Sequence, residues 1–116
     1  MKLSIWTDIL NELPPEEALD RLLQTPFKYL EFSCGHLDDW IKNDKSKQMV
    51  KNIKNKVETK GVEFIQLHAP IFNFLEDEEA QKKLKWCEDA FELAGYLDIP
   101  WVVVHPGSIE GWQQDQ

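Results

Sequence analysis

The chain has 116 residues, 42% of them hydrophobic and 29% charged, which is the balance of a globular domain. Thirteen Lys and Arg against 21 Asp and Glu leave a net charge of −8, the wrong sign for a surface that gathers nucleic acid or an anionic membrane. No apolar run approaches the ~18 residues of a membrane span, and the opening "MKLSIWTDIL" meets Asp8 and Glu12 too soon for a signal peptide, so the expectation is one cytoplasmic domain over 1–116.

In chain order, "KLSIW" (2–6) reads as a short strand. "PPEEALDRLLQT" (14–25) reads as a helix: prolines suit a first turn, acids stand near its positive end, and Leu19, Leu22 and Leu23 share one side. "KYLEFS" (28–33) is a second strand, followed by a helix over 38–60 that stops at Gly61, the residue type best able to turn left-handed. Seven lysines fall between Lys42 and Lys60, and the helical spacing of Met49, Val50, Ile53 and Val57 makes them a solvated outer face rather than a phosphate track. "VEFIQLH" (62–68) is a third strand, ended by Pro70. Residues 77–97 set Ala80, Leu84, Cys87, Phe91 and Ala94 on one helical face, and "PWVVVH" (100–105) is a fourth strand. The two cysteines, Cys34 and Cys87, lack the density or spacing of a disulfide framework or a zinc knuckle and read as reduced thiols.

The order β-α-β-α-β-α-β with helical crossovers implies a parallel sheet, either open and doubly wound or closing as a (β/α) barrel. Alternation places Leu30, Phe32, Ile65, Leu67, Val102 and Val104 on one face. Tyr29, Glu31, Ser33, Phe64, Gln66, His68, Trp101, Val103 and His105 fall on the other. A doubly wound sheet buries both faces in aliphatic runs, whereas a barrel interior opening into an active site tolerates the mixed, polar face seen here. The fold expected is therefore an α/β, parallel (β/α) half-barrel, four strands of a truncated TIM barrel.

All three histidines follow a strand: His36 after "YLEFSCG", His68 after "VEFIQL" and His105 after "PWVVV". In a parallel sheet these places share the carboxyl rim, where active sites of such folds assemble, and imidazole serves there as metal ligand, acid or base. Glu31 on the interior face adds a carboxylate. His36 reads as a loop residue after Gly35, open to solvent, and Cys34 as a thiol turned toward the helices.

"HAP" at 68–70 and "HPGS" at 105–108, each closing a parallel strand, together with "YLEFS" in the second strand, resemble the N-terminal half of the xylose isomerase-like TIM barrels. That superfamily holds sugar phosphate isomerases and epimerases and also endonuclease IV, which incises DNA at abasic sites. The resemblance implies a divalent metal (zinc, manganese or magnesium) with His68 and His105 as ligands. It further implies His68, His105 and Glu31 in catalysis, and Trp6, His36 and Gln66 as contacts to a small sugar or sugar phosphate. The endonuclease branch tends to carry a further histidine where Ile109 stands here, and it needs a basic rim, so small-molecule isomerisation or epimerisation is favoured over a zinc phosphodiesterase. A complete barrel takes ~250 residues. The expectation is thus a half-barrel inactive alone that forms a homodimer or associates with a second half-barrel, and a noncatalytic interaction module is the third reading.

Overall fold

The strands are short apolar-rich runs, and each of the first three is followed by a segment whose apolar positions recur at helical spacing. The computed structural model describes residues 1–71 and 78–105. Strands β1 (Ser4–Trp6), β2 (Tyr29–Phe32), β3 (Glu63–Ile71) and β4 (Val102–His105) form one parallel sheet in the order β1-β2-β3-β4. The order never doubles back, which is the progression of a partial barrel; a doubly wound sheet starts in the middle and winds both ways. A 3-10 turn over Thr7–Leu10 follows β1.

Helices α1 (Pro15–Leu22), α2 (Cys34–Lys42), α3 (Lys47–Lys60) and α4 (Ala80–Tyr96) send their apolar sides to one face of this sheet. Leu19, Leu22, Leu37, Trp40, Ile53, Val57, Cys87 and Leu93 from the helices meet Leu30, Phe32, Phe64 and Leu67 from the strands in a single buried cluster. Burial of this kind contributes roughly 1.5–3 kcal/mol for each large apolar side chain, so this cluster carries most of the fold's stability.

The helix expected over 38–60 is two helices. Asn43 ends α2, and Asp44 (φ 55°) and Lys45 (φ 51°) both turn left-handed. Ser46 then caps α3, its hydroxyl accepting from the Met49 amide at 3.1 Å. At the other end of α3 Gly61 takes φ 64°, as its residue type predicts. The lysines of this region are more engaged than a solvated face requires. Lys45 donates to Asp89 and Glu92 on α4, both at 2.7 Å, and Lys54 and Lys56 reach Asp98 and Asp20.

Two register shifts separate β3 from simple alternation. Leu30 pairs with Phe64 while the next residue, Glu31, pairs with Gln66, so Ile65 is an extra residue in β3. Phe64 therefore lies on the helix-covered face, 6% exposed, with its ring 5.5 Å from that of Phe32, and not on the open face where alternation put it. The second shift lies between His68, paired with Val103, and Ile71, paired with His105. Pro70 sits inside this interval, where the ladder skips and a missing N–H costs nothing, so the strand runs past it. In α4 the buried face is Cys87, Asp89, Ala90, Leu93 and Ala94, whereas Leu84 (40% exposed) and Phe91 (53%) stand outside it.

Candidate active site

The face of the sheet away from the helices gathers polar side chains from three adjacent strands. Ser4 on β1, Glu31 on β2, and Gln66 and His68 on β3 come together because Trp6 pairs with Glu31 and Glu31 with Gln66 in register. The Ser4 hydroxyl donates to Glu31 Oε2 at 2.9 Å, and the Gln66 amide donates to Glu31 Oε1. His68 Nε2 lies 3.3 Å from the same oxygen and 3.4 Å from Gln66 Nε2. The Trp6 ring covers His68, centroid to centroid 5.3 Å at 45°.

Burial pushes the Glu31 carboxyl up, but the hydrogen bonds from Ser4, Gln66 and His68, with the charge of His68, outweigh it and hold the group below the ordinary carboxylate range. Glu31 is therefore ionised at neutral pH. A carboxylate accepts only, so the His68 nitrogen facing it serves as an N–H donor. His68 is 24% exposed and Glu31 19%. The pair is reachable from the open side of the sheet.

His105 ends β4, two residues beyond Val103, the partner of His68, and so falls on the same face by alternation and nearer the carboxyl rim. Its neighbours Pro106, Gly107, Ser108 and Ile109 lie outside the described residues. The contact that His68 makes is with Glu31 rather than with a second histidine. Among the described residues no three His, Cys, Asp or Glu side chains converge to hold a metal ion. Glu31 and His68 give two donors, fewer than the three or more that a catalytic ion takes.

The expectation of a solvent-open His36 is corrected. Ser33 caps α2, accepting from the His36 amide at 3.1 Å, and this cap draws His36 into the first turn of a helix, 1% exposed. Its Nε2 lies 3.1 Å from the Leu13 carbonyl, which only accepts, so Nε2 carries the proton. Nδ1 then accepts from the Thr7 hydroxyl at 2.8 Å, and the Thr7 oxygen accepts in turn from the Ser33 amide at 2.9 Å. With both ring nitrogens occupied, His36 has nothing left for a substrate; it ties β1, β2 and the segment before α1 together. Cys34 opens the same helix. Burial pushes its thiol up and the Asp8 carboxylate adds to this, so it remains a thiol and not a ligand.

Sequence reasoning overlooked Ser4 and Thr7. Ser4 shares the parity of Trp6, two residues along β1, and that was the available signal; Thr7 lies past the strand end, where alternation says nothing. A cleft of about 590 Å³ at the amino end of the sheet is lined by Lys2, Phe64, Gln66, Leu97 and Trp101 among others, and neither His68 nor Glu31 borders it. The polar network is a surface of the open face, not the floor of a closed pocket.

A family model described as xylose isomerase-like TIM barrel matches residues 19–116. No curated protein matches the sequence. Among solved structures, D-psicose 3-epimerase in the presence of D-fructose superimposes with a TM-score of 0.69 at 17% identity, covering 100% of this chain and 41% of that one. The probable 3-DHS dehydratase AsbF involved in petrobactin synthesis, from Bacillus anthracis, gives a TM-score of 0.67 at 16% identity, covering 90% of this chain and 38% of that one. At such identities the likeness is one of fold, and this chain spans about two fifths of the length of either structure.

Proposed function

The chain belongs to the xylose isomerase-like TIM-barrel family, and from that premise we propose that its open face forms part of an isomerase or epimerase site for a small sugar or sugar phosphate. The observation that supports this most is the Glu31–His68 pair: a carboxylate held ionised by three donors, orienting an imidazole under an indole ring.

Epimerisation beside a carbonyl breaks a C–H bond, passes its electrons toward the carbonyl oxygen, and returns a proton to the other side of the same carbon. Isomerisation returns it to the neighbouring carbon. A carboxylate whose pKa is pulled down is a weak base for such a proton, so Glu31 fixes the ring of His68 and accepts from it, while His68 handles the proton or polarises the oxygen. Trp6 supplies an apolar wall that a sugar ring or chain can lie against, and Gln66, already bonded to Glu31, holds the carboxylate in place. His105 on the same face is a further substrate contact in this reading, and D-fructose, a ketose present with one of the similar structures, is a reasonable first probe.

Side-chain NMR of the three histidines during titration with D-fructose tests the proposal. His68 signals should move saturably and those of His36 should stay, since no ring nitrogen of His36 is open to a ligand. A titration that moves neither, or moves both equally, would overturn it.

A further inference from the structure

Trp6, which covers the ring of His68, is the last residue of β1, and the backbone leaves the strand directly after it, because Thr7 opens the 3-10 turn. Trp6 opposite Glu31 is also the last of the paired residues that tie β1 to β2. Among the described residues His68 is the one aromatic partner of the indole. The place of the ring over His68 therefore depends on where the end of the strand points the Cα–Cβ bond of Trp6.

That end is held one residue further on. The Ser33 amide, two residues past Glu31, donates to Thr7 Oγ1 at 2.9 Å, and the same hydroxyl donates to His36 Nδ1 at 2.8 Å. Where the backbone ladder stops, a side chain supplies one more rung between the ends of β1 and β2. His36 is fixed in turn by the Leu13 carbonyl at 3.1 Å and by the Phe32 ring, edge-on at a centroid distance of 6.1 Å. Threonine is stiff at χ1, and a hydroxyl that both accepts and donates has its rotation fixed as well. Thr7 (3% exposed), Ser33 (0%) and His36 (1%) are all out of water, and a buried network with every member satisfied specifies one geometry. None of the three can touch a substrate. What they can do is fix the two strand ends that carry the indole wall and the carboxylate.

We propose that Thr7 is a positioning residue: its hydroxyl, clamped between the Ser33 amide and His36, holds the end of β1 so that Trp6 lies over His68, and thereby sets how a sugar is received against the indole. The last clause rests on the sugar reading above; the positioning itself stands on the hydrogen bonds and the strand register. His36, with no nitrogen open to a ligand, acts on the site through Thr7.

Proton NMR of the His68 ring in the ligand-free chain reads the geometry, because an indole at 5.3 Å displaces the ring-proton signals, and Trp6→Ala marks their undisplaced position. Thr7→Val keeps the shape of the side chain without its hydroxyl and should lose most of that displacement. Thr7→Ser, which keeps the hydroxyl, should retain it. These signals come from folded molecules, so a loss of stability alone does not move them. D-fructose should bind Thr7→Val several-fold more weakly than the natural chain, and Thr7→Ser like the natural chain. Full displacement in folded Thr7→Val would overturn the proposal, and so would equal loss in both variants. If Thr7→Val does not fold, the natural chain in sub-denaturing urea decides: the His68 displacement and the protection of the Ser33 amide should be lost together, and either outlasting the other would overturn it. A natural chain that does not bind D-fructose ends the sugar reading, while the ligand-free signals still decide the positioning.

Discussion

His36, just past β2, and His68, within β3, belong to adjacent strands of one sheet, and their surroundings differ in almost every respect. His36 is sealed in the first turn of α2 with a carbonyl on one nitrogen and a hydroxyl on the other. His68 lies on the open face, shares an oxygen of Glu31 with Gln66, and has an indole over its ring. The first arrangement fixes a ring whose partners need nothing else. The second leaves a carboxylate and an imidazole where a ligand can reach them. Position at the carboxyl rim does not by itself assign a histidine to a site; the partners of its two nitrogens do.

The sharpest test of that contrast is stability. His36→Ala removes a buried ring and strands the Thr7 hydroxyl and the Leu13 carbonyl, and should cost about 3 kcal/mol in urea unfolding followed by circular dichroism. His68→Ala, at a partly exposed site, should cost under about 1 kcal/mol in the same experiment and abolish the response to D-fructose. Equal losses would erase the distinction. Thr7→Val comes next, because it keeps the shape but leaves the Ser33 amide and His36 Nδ1 unpaired, for about 1–2 kcal/mol.

Acid titration separates the two regions more finely. The folded pKa of Glu31 is lowered, so its contribution to stability is full above the ordinary carboxylate value and is lost as pH falls through the lower folded value. Glu31→Gln should remove that part of the acid limb while leaving the His36 cluster intact. The smallest effect expected is that of Ser4→Ala. Losing one of three donors to Glu31 should cost about 0.5 kcal/mol and move the acid limb to higher pH. An unchanged limb would mean that Ser4 does not hold the carboxylate.

The strand order, the parallel pairing and the shared face of Glu31, Gln66 and His68 were legible because they rest on local periodicity, and local periodicity survives folding when adjacent strands stay in register. The break between α2 and α3 had a readable cue: Asn and Asp tolerate left-handed turns, and Ser46 stands where a cap belongs. The sustained helical spacing on either side masked it. Ser33 was a local cue for a cap that puts His36 in a helix, but the sealing of its ring was not, since its ring partners Thr7 and Leu13 come from another part of the chain. Phe64 was assigned to the wrong face for a different reason. Counting by two assumes that no residue is extra, and one was.

That extra residue, Ile65, bears on how this strand tolerates insertion and deletion. Because Leu30 already faces Phe64 and Glu31 already faces Gln66, removing Ile65 would leave every flanking side chain on the face it now occupies. Removing Leu67 instead would turn Gln66 toward the core, and removing Gln66 would put Ile65 in its place and take a donor from Glu31. A shortened form lacking Ile65 should therefore keep Phe64 against Phe32 and His68 beside Glu31, with less twist between β2 and β3. In aligning relatives of this chain, a one-residue gap in the third strand belongs at position 65, and a gap placed elsewhere would match core residues of one protein to site residues of another.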